Sequence, residues 1–180
     1  MPASKDEIAA TFGELVLRYG FRRASVDDVA RALHISKQTI YEHFRTKKDL
    51  YRYSVGLWAA EQRARVESLL TERSALGRIG QATAIAFADA RRGLAANPRA
   101  GVTEPPEIVA EVNAQVFGPM VRDLIVQGNE AGELAVEDPE MTAAFLVAIG
   151  TEVVRMMRDD PSSRPEESAL AAVRCLVVER

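Results

Sequence analysis

The chain has 180 residues, of which 47% are apolar and 27% charged, and its formal net charge is −3. This composition is ordinary for a globular protein with one sizeable core, or with a small domain joined to a larger one. No run of about eighteen apolar residues occurs, so the sequence predicts no membrane span. The N-terminal residues include early acids and lack the apolar stretch of a signal peptide, which predicts a cytoplasmic protein.

Residue types that bind metals or act as nucleophiles are sparse. Cys175 is the single cysteine and lies in an apolar run, so we expect a buried structural thiol. His34 and His43 stand without cysteines or clustered acids nearby, which argues against a metal site. No set of nucleophile, base and orienting group is visible. The sequence therefore predicts neither an enzyme nor a bound metal or cofactor.

Charge is divided unevenly along the chain. Residues 1–55 carry 10 Lys and Arg against 7 Asp and Glu, whereas residues 56–180 carry 13 against 19. A basic end joined to an acidic remainder is typical of a protein that presents one end to nucleic acid. The excess is small, and charged faces are usually only solvated.

Four helices are predicted within the first 71 residues. Gly20 ends the first helix, and the turn His34-Ile35-Ser36 separates the second from the third, which ends near Phe44. A side chain that accepts a hydrogen bond from the first turn precedes each helix. These caps are Ser4 with Glu7, Ser25 with Asp28, Ser36 alone, and Thr46 with Asp49.

The fourth predicted helix is long and runs from about Lys47 to Thr71. No Pro/Gly linker separates residues 1–50 from the rest, so we expect this helix to belong to both parts and to couple them. Its predicted inner face includes Leu50, Tyr51, Val55, Trp58 and Val66.

Four more helices are predicted beyond residue 71, and a Pro-rich loop at 97–106 separates the first of them from the second. Within the segment 107–131, Pro119 removes a backbone donor and predicts a kink or a break. Asp138 and Pro139 have the pattern of a cap and first helical residue. The predicted spans are 75–96, 107–131, 139–158 and 165–179.

The segment 143–157 is apolar at 11 of its 15 positions. A helix that is apolar nearly all round must be covered on two sides. One small domain covers one side, and a second copy of the chain is the simplest cover for the other. The alternative is a central core helix in a monomer.

The third predicted helix has the side chains needed to read DNA. A major groove about 12 Å wide admits one α-helix, whose N-terminal residues meet the base edges. Gln pairs with adenine, Lys with guanine, and a Thr methyl contacts a thymine methyl. We predict base or groove contacts from Ser36, Lys37, Gln38 and Thr39, and phosphate contacts from Tyr41, His43 and Lys47.

Each of these predictions has a structural alternative. Ser36 can act as a helix cap alone, Tyr41 can pack its ring, and His43 can be a surface residue with no partner. Glu42 either points away from the phosphates or accepts a hydrogen bond from a cytosine amine.

Five short motifs follow one another in register: Tyr-Gly-Phe at 19–21, then Ser-Val-Asp-Asp-Val-Ala, Leu-His-Ile-Ser-Lys, Thr-Ile-Tyr-Glu-His-Phe and Thr-Lys-Lys-Asp-Leu. With these motifs, residues 4–52 resemble the N-terminal domain of TetR-family repressors. This resemblance implies base contacts from Lys37, Gln38 and Thr39, and phosphate contacts from Ser25, Tyr41, His43 and Lys47. His34 stands where the family often has Gly, and we expect a left-handed residue there.

The resemblance also implies an all-α architecture and a mechanism. A helix-turn-helix DNA-binding domain, residues 1–50, is continued by a long helix into a helical effector-binding and dimerisation domain, residues 51–180. Its last two helices form a homodimer, and a small molecule releases a repressor from double-stranded DNA with a palindromic operator. The expected pocket is largely apolar, with Arg91 or Asn113 to orient a polar group and Pro119 at a bistable kink. Its candidate lining residues are Trp58, Phe87, Phe117, Met120 and Phe145.

Three hypotheses remain open from the sequence. The first is a homodimeric, ligand-responsive transcriptional regulator, either repressor or activator. The second is a helical small-molecule-binding protein or enzyme that does not act through DNA, in which the proposed pocket residues are plain core. The third is a dimeric module that uses its N-terminal domain for protein contacts.

Overall fold

The computed structural model describes residues 3–96 and 105–178. Within these ranges the chain is helical, with no extended β-strand, as the sequence predicts. No helix in the described part is long and apolar enough to cross a membrane. The eight helices are α1 (Lys5–Tyr19), α2 (Val26–Ala32), α3 (Lys37–His43), α4 (Lys47–Leu69), α5 (Ala75–Ala96), α6 (Pro106–Glu130), α7 (Pro139–Asp159) and α8 (Pro165–Leu176).

Local capping explains where five of these helices begin. The predicted capping box of α1 is formed, since Glu7 N donates to Ser4 Oγ and Ser4 N donates to Glu7 Oε2. An equivalent box opens α4, between Thr46 and Asp49. The side chains of Ser25, Ser36 and Asp138 cap α2, α3 and α7 by accepting from the backbone N–H three residues later, and Pro139 is the first residue of α7. These confirmed predictions depend on contacts three residues apart, which the sequence displays directly.

The N-terminal core is formed by helices α1, α2, α3 and α4 together with part of α6. Phe12 of α1, Val29 of α2 and Ile40 of α3 are buried in it, together with Ile108 and Val112 of α6. The first half of α6 therefore packs on the helix-turn-helix region, and its second half contributes Leu124 and Ile125 to a separate cluster with α5, α7 and α8. The division into 1–50 and 51–180 stays a prediction.

Of the two outcomes predicted at Pro119, a kink or a break, the structure contradicts the break. Helix α6 continues from Pro106 to Glu130 with Pro119 inside it. Val112 and Met120 are buried on either side of the proline. This packing holds α6 as one helix despite the missing backbone donor.

Two side chains predicted to be buried are exposed. Trp58 is 50% exposed, because the buried face of α4 turns from Ser54, which faces α1, to Val66, which packs with α5 and α6. Cys175 is also exposed. Residues Ala169 and Val173 form the buried face of α8, and a residue two positions after Val173 lies on the opposite side of an α-helix.

Candidate nucleic-acid interface

The turn between α2 and α3 fixes the angle of the third helix. His34 has φ 54°, the left-handed conformation expected from its position. Ile35 N then donates to Ala30 O at 3.0 Å. Ile40, which is 1% exposed, and Phe44 bury the inner side of α3 in the N-terminal core. Its remaining sides face outward.

The N-terminal turn of α3 presents an accessible surface. Lys37, Gln38, Tyr41 and His43 are exposed, and Thr39 is half-buried. Helix α3 is therefore open to a duplex over the length that the sequence assigns to DNA contact.

Several of these side chains already have partners within the protein. Ser36 Oγ accepts from Thr39 N at 3.1 Å and lies 3.0 Å from Thr39 Oγ1. Lys37 Nζ forms an ion pair with Asp27 Oδ1 at 2.5 Å. In the described part of the chain, Gln38 makes no side-chain hydrogen bond, so its amide is free to meet a base edge.

Lys47 lies against the turn that follows α1. Its Nζ is 4.5 Å from the centre of the Phe21 ring and 3.4 Å from the Arg22 carbonyl oxygen. Burial lowers the pKa of the Lys47 ammonium. Lys47 is the first residue of α4. Its positive charge and the free backbone N–H groups of this first turn together favour binding of a phosphate.

Ser25 is engaged with the first turn of α2. Its Oγ donates to Asp28 Oδ2 at 2.5 Å and accepts from Asp28 N at 3.2 Å. The Ser25 hydroxyl is the main cause that lowers the pKa of Asp28; burial opposes this shift, and Arg31, paired at 3.0 Å, adds to it. A phosphate contact from Ser25 would thus share its hydroxyl with a carboxylate.

Four exposed cations near Lys47 escaped the sequence interpretation. Arg45 and Lys48 flank it in the chain, and the Arg22 carbonyl contact brings the turn with Arg22 and Arg23 beside it. In the sequence, the two pairs of adjacent basic residues at 22–23 and 47–48 are the pattern that indicates these additional cations. Together they extend the cationic surface beyond the predicted set.

The five predicted pocket residues do not form one cluster. Phe87 lies in a cluster with α7 and α8, whereas Met120 lies in another with α4 and α5, and Phe117 borders the latter and the N-terminal core. Trp58 and Phe145 are half-exposed. Their role as pocket lining stays a prediction.

The two polar residues considered for the pocket have structural partners. Arg91 donates to the Pro161 and Ser163 carbonyls and pairs with Glu166, so it holds the connection between α7 and α8. Asn113 Nδ2 donates to Thr151 Oγ1 at 3.1 Å, which links α6 to α7. Among the described residues, no group of three His, Cys, Asp or Glu converges as metal ligands would.

The N-terminal region is similar to a known protein family. Residues 13–53 match the family model for bacterial regulatory proteins of the tetR family. This segment of the chain is therefore similar to the N-terminal region of that family. The matched segment covers the second half of α1, the helix-turn-helix and the first residues of α4, and these carry all the candidate DNA contacts. No curated protein matches the sequence.

Solved structures share the fold of this chain over nearly its whole length. RolR in complex with resorcinol has a TM-score of 0.77, with 98% of this chain and 88% of that chain covered at 14% identity. The reduced form of E. coli NemR has a TM-score of 0.67 over 97% of both chains at 19% identity. The fatty acid degradation regulator FadR from Bacillus halodurans has 0.66, covering 96% and 97% at 17% identity. At such identities the likeness establishes the fold alone.

Proposed function

We propose that this chain is a ligand-responsive DNA-binding transcriptional regulator that acts in the cytoplasm. The observation that carries the proposal is the orientation of α3. Ile40 and Phe44 anchor it inward, and its N-terminal turn stays exposed with a free Gln38 amide. Such a helix fits the major groove, where Gln38 and Lys37 meet base edges and Tyr41, His43 and Lys47 meet phosphates.

The regulator we propose is a homodimer formed through α7 and α8. Helix α7 buries Ala143, Leu146 and Val153 within the chain and leaves Met141 and Phe145 half-exposed on another side. Apolar side chains of this size on one face are typical of an interface. Two copies related by a twofold axis would present two α3 helices about 34–36 Å apart or modestly more, which matches a palindromic operator.

The effector we propose is a small and largely apolar molecule that releases a repressor from DNA. RolR, which shares the fold, was solved with resorcinol, and this supports a small-molecule effector, which we place among the C-terminal helices. Buried Phe87 and Met120 and partly buried Phe117 are among the aromatic and sulfur side chains available there. Because the first half of α6 packs on the helix-turn-helix core, a ligand that moves α6 would reorient α3.

Selection of bound duplexes from a random-sequence pool tests the proposal. We expect recovery of a two-half-site sequence, and repetition with a panel of small apolar and phenolic metabolites should show loss of retention with the effector. Failure to retain any duplex at low salt would refute the DNA-binding function. Turnover of a small molecule by a variant without residues 1–45 would favour the enzyme alternative instead.

A further inference from the structure

The ion pair between Asp27 and Lys37 joins α2 to the base-reading end of α3. Lys37 Nζ is 2.5 Å from Asp27 Oδ1, and the two side chains remain 59% and 51% exposed. Asp27 stands two residues after Ser25, a candidate phosphate contact, and its carboxylate contacts Lys37, a candidate base contact. A carboxylate on a DNA-facing surface repels phosphates, which makes its position there informative.

Asp28, the acidic residue next to Asp27, has different partners. Asp28 receives hydrogen bonds from Ser25 and Arg31 and belongs to the cap of α2. Asp27 also lies in the first turn of α2, but in the described part of the chain its side chain pairs with the Lys37 ammonium and is not part of the cap. The pair therefore links Asp27 to DNA readout more directly than to the stability of α2.

We propose that Asp27 is a specificity-determining residue that positions Lys37 for base recognition. The inference rests on the DNA-binding function proposed above. An unrestrained lysine has a flexible four-carbon stem and reaches phosphate oxygens, which carry no sequence information. Asp27 occupies one of the three ammonium donors and confines the group, and the other two donors stay available for guanine acceptors. Its charge also weakens binding to any duplex, specific and non-specific alike, whereas the positioning of Lys37 favours the specific duplex alone.

Affinity measurements on two probes test the positioning role. The probes are the duplex that the wild-type chain selects from random DNA, and poly(dI-dC) as non-specific DNA, both at one salt concentration. We expect Asp27→Asn to raise the affinity for poly(dI-dC) and to lower the ratio of specific to non-specific affinity by about fivefold or more, the lower range for one base contact. The matched control is Glu137→Gln, an equal charge change at an exposed position between α6 and α7, which should leave the ratio unchanged.

A double-mutant cycle separates positioning from a general field effect. In a Lys37→Met background, Asp27→Asn should change the ratio by less than about twofold, the usual range of additivity. An unchanged ratio in the single variant, or an equal fall in both backgrounds, would overturn the proposal. Circular dichroism checks folding, and Asp27→Ser takes the place of Asp27→Asn if that variant unfolds. A wild-type chain that selects no duplex would refute the proposed function itself, and that result is distinct from either outcome above.

Discussion

Arg52 of α4 and Glu111 of α6 are joined by two parallel hydrogen bonds, Nε to Oε1 and Nη2 to Oε2, each 3.1 Å long. Arg52 also donates to Asp49, whose other carboxylate oxygen completes the capping box with Thr46. The Glu111 carboxylate raises the pKa of Arg52. A network of hydrogen bonds therefore connects α6 to the start of α4, which directly follows α3 in the chain. The apolar contacts of Ile108 and Val112 join α6 to the same N-terminal core.

Replacement of Glu111 by Gln should lower the stability of the fold slightly. Both partners are about half-exposed, so solvent screens the pair and the loss should shrink as salt is added. Urea unfolding at low and high ionic strength measures this. Glu14→Gln, at an exposed position in the middle of α1 where the described residues form no ion pair, is the control and should be neutral. Equal losses in both variants would show that the pairing of Glu111 with Arg52 adds nothing to stability.

Ser25→Ala should change how stability depends on pH. The Ser25 hydroxyl lowers the pKa of Asp28 below its ordinary 3.8. Ionised Asp28 therefore stabilises the fold above pH 3.8, and this contribution is lost as the pH falls through the folded-state pKa. The difference in free energy of unfolding between wild type and Ser25→Ala should become smaller as the pH falls below 3.8. NMR titration should show a higher Asp28 pKa in the variant than in the wild type.

The control for this experiment is Ser36→Ala. Ser36 caps α3 through Thr39 and has no carboxylate partner, so its loss should destabilise the fold without that narrowing. If Asp28 titrates unchanged after Ser25→Ala, the hydrogen bond is not the cause of its shift.

Lys47→Ala should weaken binding to every DNA sequence and reduce the salt slope by about one, because it removes one phosphate contact. Tyr41→Phe should also weaken binding to all sequences. Gln38→Ala should instead change sequence preference by about 1–3 kcal/mol at one base position. Fluorescence anisotropy over a salt series distinguishes these effects. An unaltered affinity and slope for Lys47→Ala would remove Lys47 from the phosphate contacts.

Phe145→Glu should produce a monomer and greatly weaken operator binding. The side chain is 52% exposed on α7, and a carboxylate there would be desolvated in the proposed interface. Analytical ultracentrifugation reads the oligomeric state. Leu69→Glu, at a half-exposed apolar position on α4, should leave it unchanged. A wild-type chain that sediments as a monomer would contradict the dimer.

Gly128→Ala should destabilise the protein by about 1–3 kcal/mol through overpacking. A Cβ at this position would lie 2.5 Å from both Ala75 Cβ and Leu134 Cδ1. Denaturant unfolding measures the loss. At Gly80 the added methyl would meet nothing within 4 Å, so Gly80→Ala should be neutral or stabilise by about 0.5–1 kcal/mol. Similar stabilities for the two variants would mean that α6 shifts to accommodate the methyl group.

The amino-acid sequence by itself determined the features that depend on near neighbours. The caps at Ser4 and Thr46 and the left-handed turn at His34 involve residues within a few positions of one another, so their side-chain chemistry is sufficient to predict them. The outward exposure of Lys37 and Gln38 follows from the spacing of Ile40 and Phe44, which bury the opposite side of α3.

Only the tertiary structure decided which distant groups meet and which faces are covered. The pairing of Arg52 with Glu111 and of Lys37 with Asp27 depends on how whole helices pack, and charge patterns along a sequence do not specify it. The exposure of Trp58 and Cys175 was misjudged for the same reason. An apolar residue is buried only if another element reaches its side of the helix, and that is a property of the assembled fold.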